Sequence, residues 1–563
     1  MRTTRLVVLM VAAWQATASA QLRVPCVSDL CKLAAAGSLT SLRWPGFSDQ
    51  RESVDRFYAP TNFALVWTKN GRPTETAYRV IQLLTDADQK GLNPEDYDAA
   101  RWEARLQALQ TSASSPREAE LADFDLSLTV NALRFVSHLH FGRANPGWFH
   151  GSKFQHEEAD VAAIVRELML PGVNARNTLD SIEPPYESYR QTLKALQKYI
   201  AMMKEGRDEP LPETEKPLDP KMPYPALDRL AANLRRLGDL PDSAQISTDT
   251  YGGALVDGVK HFQSRHGLDV DGRIGKATFA ALNTPLESRV QQLQRTLERW
   301  RWVPHSFTRP PIIVNIPEFD LRALNDKYTT ELEMKVVVGK AYRTQTPVFA
   351  AEMKSVVFRP YWNVPVSIQR KELVPKLLKD RDYLLKNDYE LVTPQDAVIS
   401  DGTVDDAILA QLRSGKLRLR QRPGPENSLG LIKFNFPNEH DVYMHDTPAR
   451  VLFARSRRDF SHGCIRVEKP KQLAEWVLRS DAKWTPEKIA AQMEDPRRLE
   501  VSIQQPIPVL IVYATAVVPS TGEVHFSEDI YGEDARLAKI LSAGPPYAAP
   551  PATSGERGPH PRE

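Results

Sequence analysis

The sequence predicts a multidomain α+β protein. Three observations predict it. The 563 residues exceed what one hydrophobic core organises. Apolar residues recur at helical three-and-four spacing through the first half, and from Pro310 β-branched runs broken by turn residues replace that pattern. Charge adds an exclusion: with 73 basic and 71 acidic residues, and no basic stripe interleaved with aromatics, nothing points to nucleic acid.

The chain opens with the basic Met1-Arg2-Thr3-Thr4-Arg5, an apolar run from Leu6 to Ala13 and an Ala18-Ser19-Ala20 cleavage site. Residues 1–20 are read as a secretory signal peptide cleaved near Ala20, so export is expected. The run is shorter than the roughly 20 residues a bilayer span needs, and nothing later is long and apolar enough, so no transmembrane segment is expected. Three cysteines in the whole chain cannot hold the fold together. Cys26 and Cys31 are close enough to pair in an oxidising compartment, which leaves Cys464 as the odd thiol of an exported protein and a candidate reactive group. The C-x4-C spacing with no nearby histidine matches no zinc signature, and neither a metal nor an organic cofactor is implied.

Residues 39–202 read as a helical domain, with Thr76 to Asp86 and Phe124 to His140 as clear helices and Gly91-Leu92-Asn93-Pro94 as a break. His138 and His140 invite a metal reading, but an H-x-H pair without a third ligand is more often structural, and the pair is left outside the site. The run 203–223, rich in Pro, Glu, Lys and Asp, reads as an exposed linker. Residues 224–284 read as a small three-helix module. Ala226 to Leu237 is amphipathic and stopped by Gly238, a second helix runs from Ala254 to His266, and a third starts at Lys276. The segment from Val259 to Thr278, with Phe262-Gln263, Gly267-Leu268 and Asp271-Gly272-Arg273-Ile274-Gly275 in that order, resembles the peptidoglycan-binding type 1 module of cell-wall enzymes. What the resemblance implies is a wall ligand, with no particular binding residue.

From Pro310, the runs Ile312–Ile316, Leu332–Val338, Ser355–Phe358 and Asp441–His445 predict a mainly antiparallel β domain over 308–515. A charged, helix-prone insertion at about 370–422, with its own apolar periodicity, is read as a lid or subdomain. The tail 541–563, rich in Pro, Gly and Ser, is expected to be disordered. Within the β domain, His445 and Cys464 lie 19 positions apart. A cysteine attacks carbonyls once a base draws off its proton, so the pair predicts a Cys-His acyl transferase. A small core cysteine and a satisfied strand histidine are the alternative. Gly463 permits a turn whose backbone N–H groups converge on an oxyanion, and Tyr443, two residues before His445 on an extended segment, can add its phenol. Trp362 is either a core aromatic or a wall of a substrate groove. Arg455, Arg457 and Arg458 either favour a thiolate or form an exposed charged loop.

His445, a 15-residue spacer and Ser461-His462-Gly463-Cys464 resemble the catalytic motif of the L,D-transpeptidase, or YkuD, domain, supported by Val337-Val338-Gly339-Lys340 and Thr344-Gln345-Thr346-Pro347 upstream. The order of helical scaffold domain, peptidoglycan-binding module and catalytic domain resembles that of large periplasmic L,D-transpeptidases. The resemblance implies a thioester on Cys464, with His445 as base, release of D-alanine and 3-3 cross-links between stem peptides. It also implies a helical capping subdomain over the site, acylation of Cys464 by carbapenems, and tetrapeptide stems and glycan strands as partners alongside other wall-synthesis enzymes. His462 is given a supporting or substrate-contacting role. Arg466 stands where the broader family has Asn, and its guanidinium can grip a carboxylate bidentately. Two alternatives remain. One is a Cys-His amidase or peptidase that lets water resolve the thioester; the other is a non-catalytic wall-binding protein.

Overall fold

The structure is a computed structural model that describes residues 27–111, 118–145, 159–170, 172–206, 209–247, 249–341, 344–400, 404–519 and 521–547. The predicted signal peptide, Cys26 and residues 548–563 of the predicted tail lie outside the described residues. Cys31 is disulfide-bonded, and Cys464 retains its thiol.

The helical region is built around α1, Glu118–Phe141, whose 24 residues are buried on nearly every side. That burial makes it the core of the region rather than an amphipathic cover. His138 and His140 lie on it, and both are occupied structurally. His138 Nδ1 meets the Tyr97 hydroxyl at 2.9 Å, and His140 Nδ1 meets the Ile182 carbonyl at 2.7 Å. α2, Glu187–Lys204, ends the region. The small module contributes α3 (Leu227–Leu237), α4 (Ala254–Arg265) and α5 (Lys276–Leu282), packed around Leu230, Leu234, Leu255, Val259, Phe262, Ile274 and Phe279.

The stretch expected to be an exposed linker is in part folded onto this module. Leu211 and Leu218 are buried in the module's core, and Leu218 bridges to Ile274. Two leucines among the prolines and charges are enough to fasten it, because each removes apolar surface from water.

A further helix, α6 (Leu286–Trp302), joins the parts. Its Leu293, Leu297 and Trp302 share one core with Leu196 and Tyr199 of α2 and with Val518, Phe526 and Leu537 beyond the catalytic domain. Buried ion pairs reinforce the joint: Arg143 with Glu298 at 3.0 Å, and Arg299 with Asp534. Such pairs require one register, since a displaced partner leaves a buried charge uncompensated. The expected disorder from residue 541 also needs correction. Tyr547 packs at the edge of this core, and its hydroxyl bonds Asp96, so described residues of the tail as far as 547 are anchored.

The β domain contains β1 (Ile312–Asn315), β2 (Asp320–Leu324), β3 (Thr330–Gly339), β4 (Phe349–Phe358), β5 (Trp362–Asn363), β6 (Tyr389–Val392), β7 (Val398–Ser400), β8 (Arg418–Gln421), β9 (Ile432–Asn435), β10 (Met444–His445), β11 (Asp459–Ser461), β12 (Ile465–Val467) and β13 (Leu499–Val512). Its main sheet runs β11-β3-β12-β10-β9-β4-β13-β1-β2, and β2 pairs again with β3, closing the sheet on itself. Most neighbours are antiparallel, as predicted, but β10/β12, β11/β3 and β13/β1 are parallel. β-Branched runs carry no sign of strand direction, so this departure is invisible in the sequence.

The insertion departs from the helical expectation as well. It folds as a mixed unit with a four-stranded sheet, β5-β8-β6-β7, and its own core of Leu373, Leu377, Leu391, Leu409, Leu412 and Leu419. The helix-prone segments Val374–Lys379 and Asp406–Ser414 pack on that sheet rather than standing alone.

Candidate active site

The site forms where two parallel strands lie side by side. β10 and β12 pair with Met444 opposite Ile465 and His445 opposite Arg466, and the Ile465 N–H donates to the Tyr443 carbonyl at 3.0 Å. Met444 and Ile465 are fully buried in the sheet core. Side chains alternate along a strand, so Tyr443, His445, Cys464 and Arg466 all project from the other face. The predicted nucleophile, base, phenol and guanidinium are thereby brought together.

The cysteine turn is held from below. Gly463 has φ +119°, a conformation that side chains resist, and its N–H donates to Ser461 Oγ at 3.1 Å. Ser461 Oγ in turn donates to the Cys464 carbonyl at 2.6 Å. Because the Gly463 N–H is committed to that serine, Gly463 shapes the turn and does not serve as the oxyanion donor expected of it. Thr346 supports the turn further, with Oγ1 donating to the Gly463 carbonyl at 2.8 Å while accepting the Gly339 N–H at 2.9 Å. Tyr531 closes the set by donating to the Gly339 carbonyl at 2.6 Å and accepting the Thr346 N–H at 3.2 Å. Gly339 tolerates no side chain here: a Cβ would stand 2.0 Å from the Thr344 carbonyl oxygen. Gly339→Ala is therefore expected to displace the 344–347 loop, destabilise the domain by about 2–4 kcal/mol and impair Cys464 with it. A melting curve and a thiol-labelling rate check both effects.

His445 is buried, and its Nδ1 faces the Asp446 carbonyl at 2.5 Å. A carbonyl only accepts, so Nδ1 carries the proton and Nε2 is left with a lone pair, the tautomer of a general base. Burial, followed by the Arg466 charge, pushes the imidazole down to about 3, with Lys433 acting in the same direction and the Asp446 carbonyl opposing. The imidazole is therefore neutral near neutral pH. Of the two states open to a Cys-His couple, a thiol beside a neutral base or an ion pair, the surroundings favour the first. The Asp446 carboxylate fixes the peptide that orients His445, accepting from Leu431 N at 2.9 Å, Thr447 N at 2.7 Å and Arg450 Nη2 at 2.8 Å.

Cys464 is part-exposed, and its Sγ lies 3.8 Å from the Asp441 carbonyl. Tyr443 is pushed well above its ordinary range by burial, then by the Cys464 charge and a hydrogen bond to Cys464, with the Trp362 indole N–H acting oppositely on the same hydroxyl. It therefore stays protonated and able to donate. Trp362 is thus placed at the site, although it belongs to β5 of the insertion. The Lys433 ammonium stands 4.0 Å over the Tyr443 ring. Arg466 is largely buried, and its Nε has no hydrogen-bond partner among the described residues. Burial lowers its affinity for its proton, and the Cys464 charge opposes that shift.

His462 turns outward. Its Nε2 meets Glu372 Oε1 at 2.5 Å, so it fastens the cysteine turn to the insertion instead of bracing the turn from within. The nearby arginines are occupied elsewhere: Arg457 pairs with Asp459 at 2.8 Å, and Arg458 donates to the Phe319 and Arg455 carbonyls at 3.1 and 2.8 Å. Among the described residues no cluster of His, Cys, Asp and Glu is arranged to hold a metal ion.

Residues 309–498, which contain all of these groups except Tyr531, match the family model of the L,D-transpeptidase catalytic domain. The chain carries an L,D-transpeptidase catalytic domain. Residues 52–196 match the family model of a scaffold domain, and residues 224–282 match the one described as "Putative peptidoglycan binding domain". A Haemophilus influenzae protein named "Putative L,D-transpeptidase" is 33% identical over 255 residues, covering 45% of this chain and 50% of that protein. The chain thus spans half the length of that relative. A crystal structure of an L,D-transpeptidase (Yku) from Stackebrandtia nassauensis covers 54% of this chain and 97% of that one at 13% identity, with a TM-score of 0.19 that carries no weight for the fold. Among the described residues no helix is long and apolar enough to cross a membrane.

Sequence reasoning missed Ser461, Thr346 and Tyr531 as supports of the turn, Asp446 as the orienter of His445, and Glu372 as the partner of His462. Thr346 was visible within the 344–347 motif. Ser461 stood within the quoted Ser461-His462-Gly463-Cys464 motif and Asp446 beside His445, with partners close in sequence; Tyr531 and Glu372 had no signal, since they meet Thr346 and His462 across 185 and 90 residues.

Proposed function

We propose that the protein is an exported L,D-transpeptidase that forms 3-3 cross-links between peptidoglycan stems through a thioester on Cys464. The observation that carries this reading is the neutral, Nδ1-protonated His445 one strand away from Cys464. His445 Nε2 takes the thiol proton as Sγ attacks the carbonyl of the third residue of a tetrapeptide stem. The tetrahedral oxyanion accepts hydrogen bonds from the Cys464 backbone N–H and the Tyr443 hydroxyl. Collapse breaks the bond to the terminal D-alanine, and the imidazolium returns its proton to the departing amine. A side-chain amine of a second stem then attacks the thioester, passes its proton through His445 and regenerates the thiol. Arg466 holds a stem carboxylate, which compensates its buried charge. Trp362 lines the groove on the side of the insertion, and the insertion acts as a cap clipped to the cysteine turn by His462 and Glu372. Keeping water out favours amine attack over hydrolysis. The site requires no cofactor, and the peptidoglycan-binding domain keeps the enzyme on its polymer.

Product analysis tests this. Tetrapeptide-stem muropeptides incubated with the mature chain are expected to give a dimer lacking one D-alanine, detected by mass spectrometry. Tripeptide stems without dimer would replace the transpeptidase with a hydrolase, and unchanged substrate would leave wall binding alone.

A further inference from the structure

One brace of the cysteine turn comes from outside the stretch that carries the catalytic motif. Tyr531 lies beyond the family match, which ends at residue 498, and beyond β13, the last strand of the main sheet in chain order. A hydroxyl has one proton, so a Tyr531 hydroxyl that donates to the Gly339 carbonyl at 2.6 Å can only accept the Thr346 N–H at 3.2 Å. Burial holds that proton in place. Thr346 Oγ1 passes the constraint to the Gly463 carbonyl at 2.8 Å, one residue from Cys464.

A second set of bonds places Tyr531 itself. Its backbone N–H donates to the Tyr513 hydroxyl at 2.9 Å, and that hydroxyl donates to Asp529 Oδ1 at 2.6 Å. Asp529 Oδ2 accepts the N–H groups of Asp534 and Ala535 at 3.1 and 3.2 Å, and so caps the helix Glu533–Leu541. Asp534 is buried and paired with Arg299 of α6, whose guanidinium lies 5.3 Å over the Tyr513 ring. The preceding residue of α6 faces the other way: Glu298 accepts from Arg143 Nε and Ala144 N of the helical region, both at 3.0 Å.

We infer that Tyr531 is a positioning residue for Cys464 and that α6 sets its place, so that the joint of the domains helps to hold the nucleophile. Arg299 and Asp534 are both buried, and Arg295 stands farther off, 3.9 Å from the same carboxylate. Sliding the helix Glu533–Leu541 along α6 would leave those buried charges poorly compensated. The helix is therefore fixed on α6, and with it the Asp529 cap, the Tyr513 hydroxyl and the Tyr531 backbone. Hydrogen bonds are directional, so a displacement at one end reaches the Gly463 carbonyl at the other. The alternative is that the segment only adds packing, in which case the ring of Tyr531 matters and its hydroxyl does not. The assignment rests on Cys464 being the nucleophile, whatever the acyl acceptor.

Tyr531→Phe in the full-length chain keeps the ring, removes the hydroxyl and is the first test. Acylation of Cys464 by a tetrapeptide stem is expected to slow about tenfold, in kcat with KM unchanged, because the seat of the nucleophile is altered and the substrate is not touched. Amide exchange read by mass spectrometry is expected to quicken in peptides covering 338–347 and 459–466 and to stay the same in the rest of the β domain. Tyr513→Phe breaks the chain one link back, where the hydroxyl meets Asp529 and Tyr531. It is expected to slow acylation about threefold and to quicken exchange in the same two stretches. In the double variant the effects should not multiply, since both act through the Tyr531 hydroxyl. Arg299→Met should reproduce the Tyr513→Phe pattern, and Arg299→Lys, which keeps a charge opposite Asp534, should restore most of the rate. Unchanged acylation and exchange in Tyr531→Phe, or exchange quickened throughout the domain, overturns the assignment and makes Tyr531 a packing residue. Multiplying effects in the double variant overturn the link to α6. If the wild type is not acylated at all, the transpeptidase reading falls, and exchange at 459–466 still decides whether Tyr531 braces the turn.

Discussion

Cys464→Ala is expected to abolish formation of the cross-linked dimer, a loss of about 10⁴-fold or more in kcat/KM, while leaving the fold intact. No neighbour can replace the thiol: His445 is a neutral base with its Nδ1 committed to Asp446, and the Ser461 hydroxyl is occupied by the Cys464 carbonyl. The fold survives because Cys464 is part-exposed and its contact to the Asp441 carbonyl is a weak sulfur bond at 3.8 Å. The melting temperature of the variant, read beside its activity, separates lost chemistry from lost structure.

His445→Ala is expected to cost about 10³-fold in the acylation rate, and the wild-type pH profile carries its signature. A base works when unprotonated, that is, above its pKa. An ordinary histidine titrates near 6.5; His445, drawn down to about 3, is already unprotonated at pH 5. The acylation rate should therefore show no inflection near 6.5 and should fall only as the pH drops below about 4. A tenfold loss per pH unit beginning at 6.5 would mean that His445 titrates as an ordinary imidazole and that burial and the Arg466 charge do not hold it neutral in acid. Stopped-flow acylation between pH 4 and 8 decides between the two.

The chemistry of the site was legible because it depends on local order. The Tyr443-x-His445 alternation places both side chains on one face, and the Gly463-Cys464 turn is followed at once by a strand, so Arg466 falls beside His445. What surrounds these residues depends on long-range register. Thr346 reaches Gly463 across 117 residues, Tyr531 reaches Thr346 across 185, and His462 meets Glu372 across 90. No spacing rule connects such partners. The insertion was misread for a related reason. Tyr389–Val392 and Arg418–Gln421 are four-residue strands that pair with each other across a helix, too short for alternation to outweigh the helix-prone segments around them. The helix Leu286–Trp302 shows the opposite case. Leu286, Val290, Leu293 and Leu297 recur at helical spacing, yet the charged and glutamine-rich residues between them hide a face that becomes the joint of three domains.

The central claim is a thioester on Cys464, and trapping it is the most direct measurement. Intact wild-type chain is mixed with tetrapeptide stems, quenched in acid within the first turnover, and digested for peptide mass spectrometry. The account predicts that the peptide containing Cys464 gains the mass of the stem without its terminal D-alanine, and that treatment with hydroxylamine releases it. Turnover with no adduct on that peptide, or an adduct on another residue, would contradict the account.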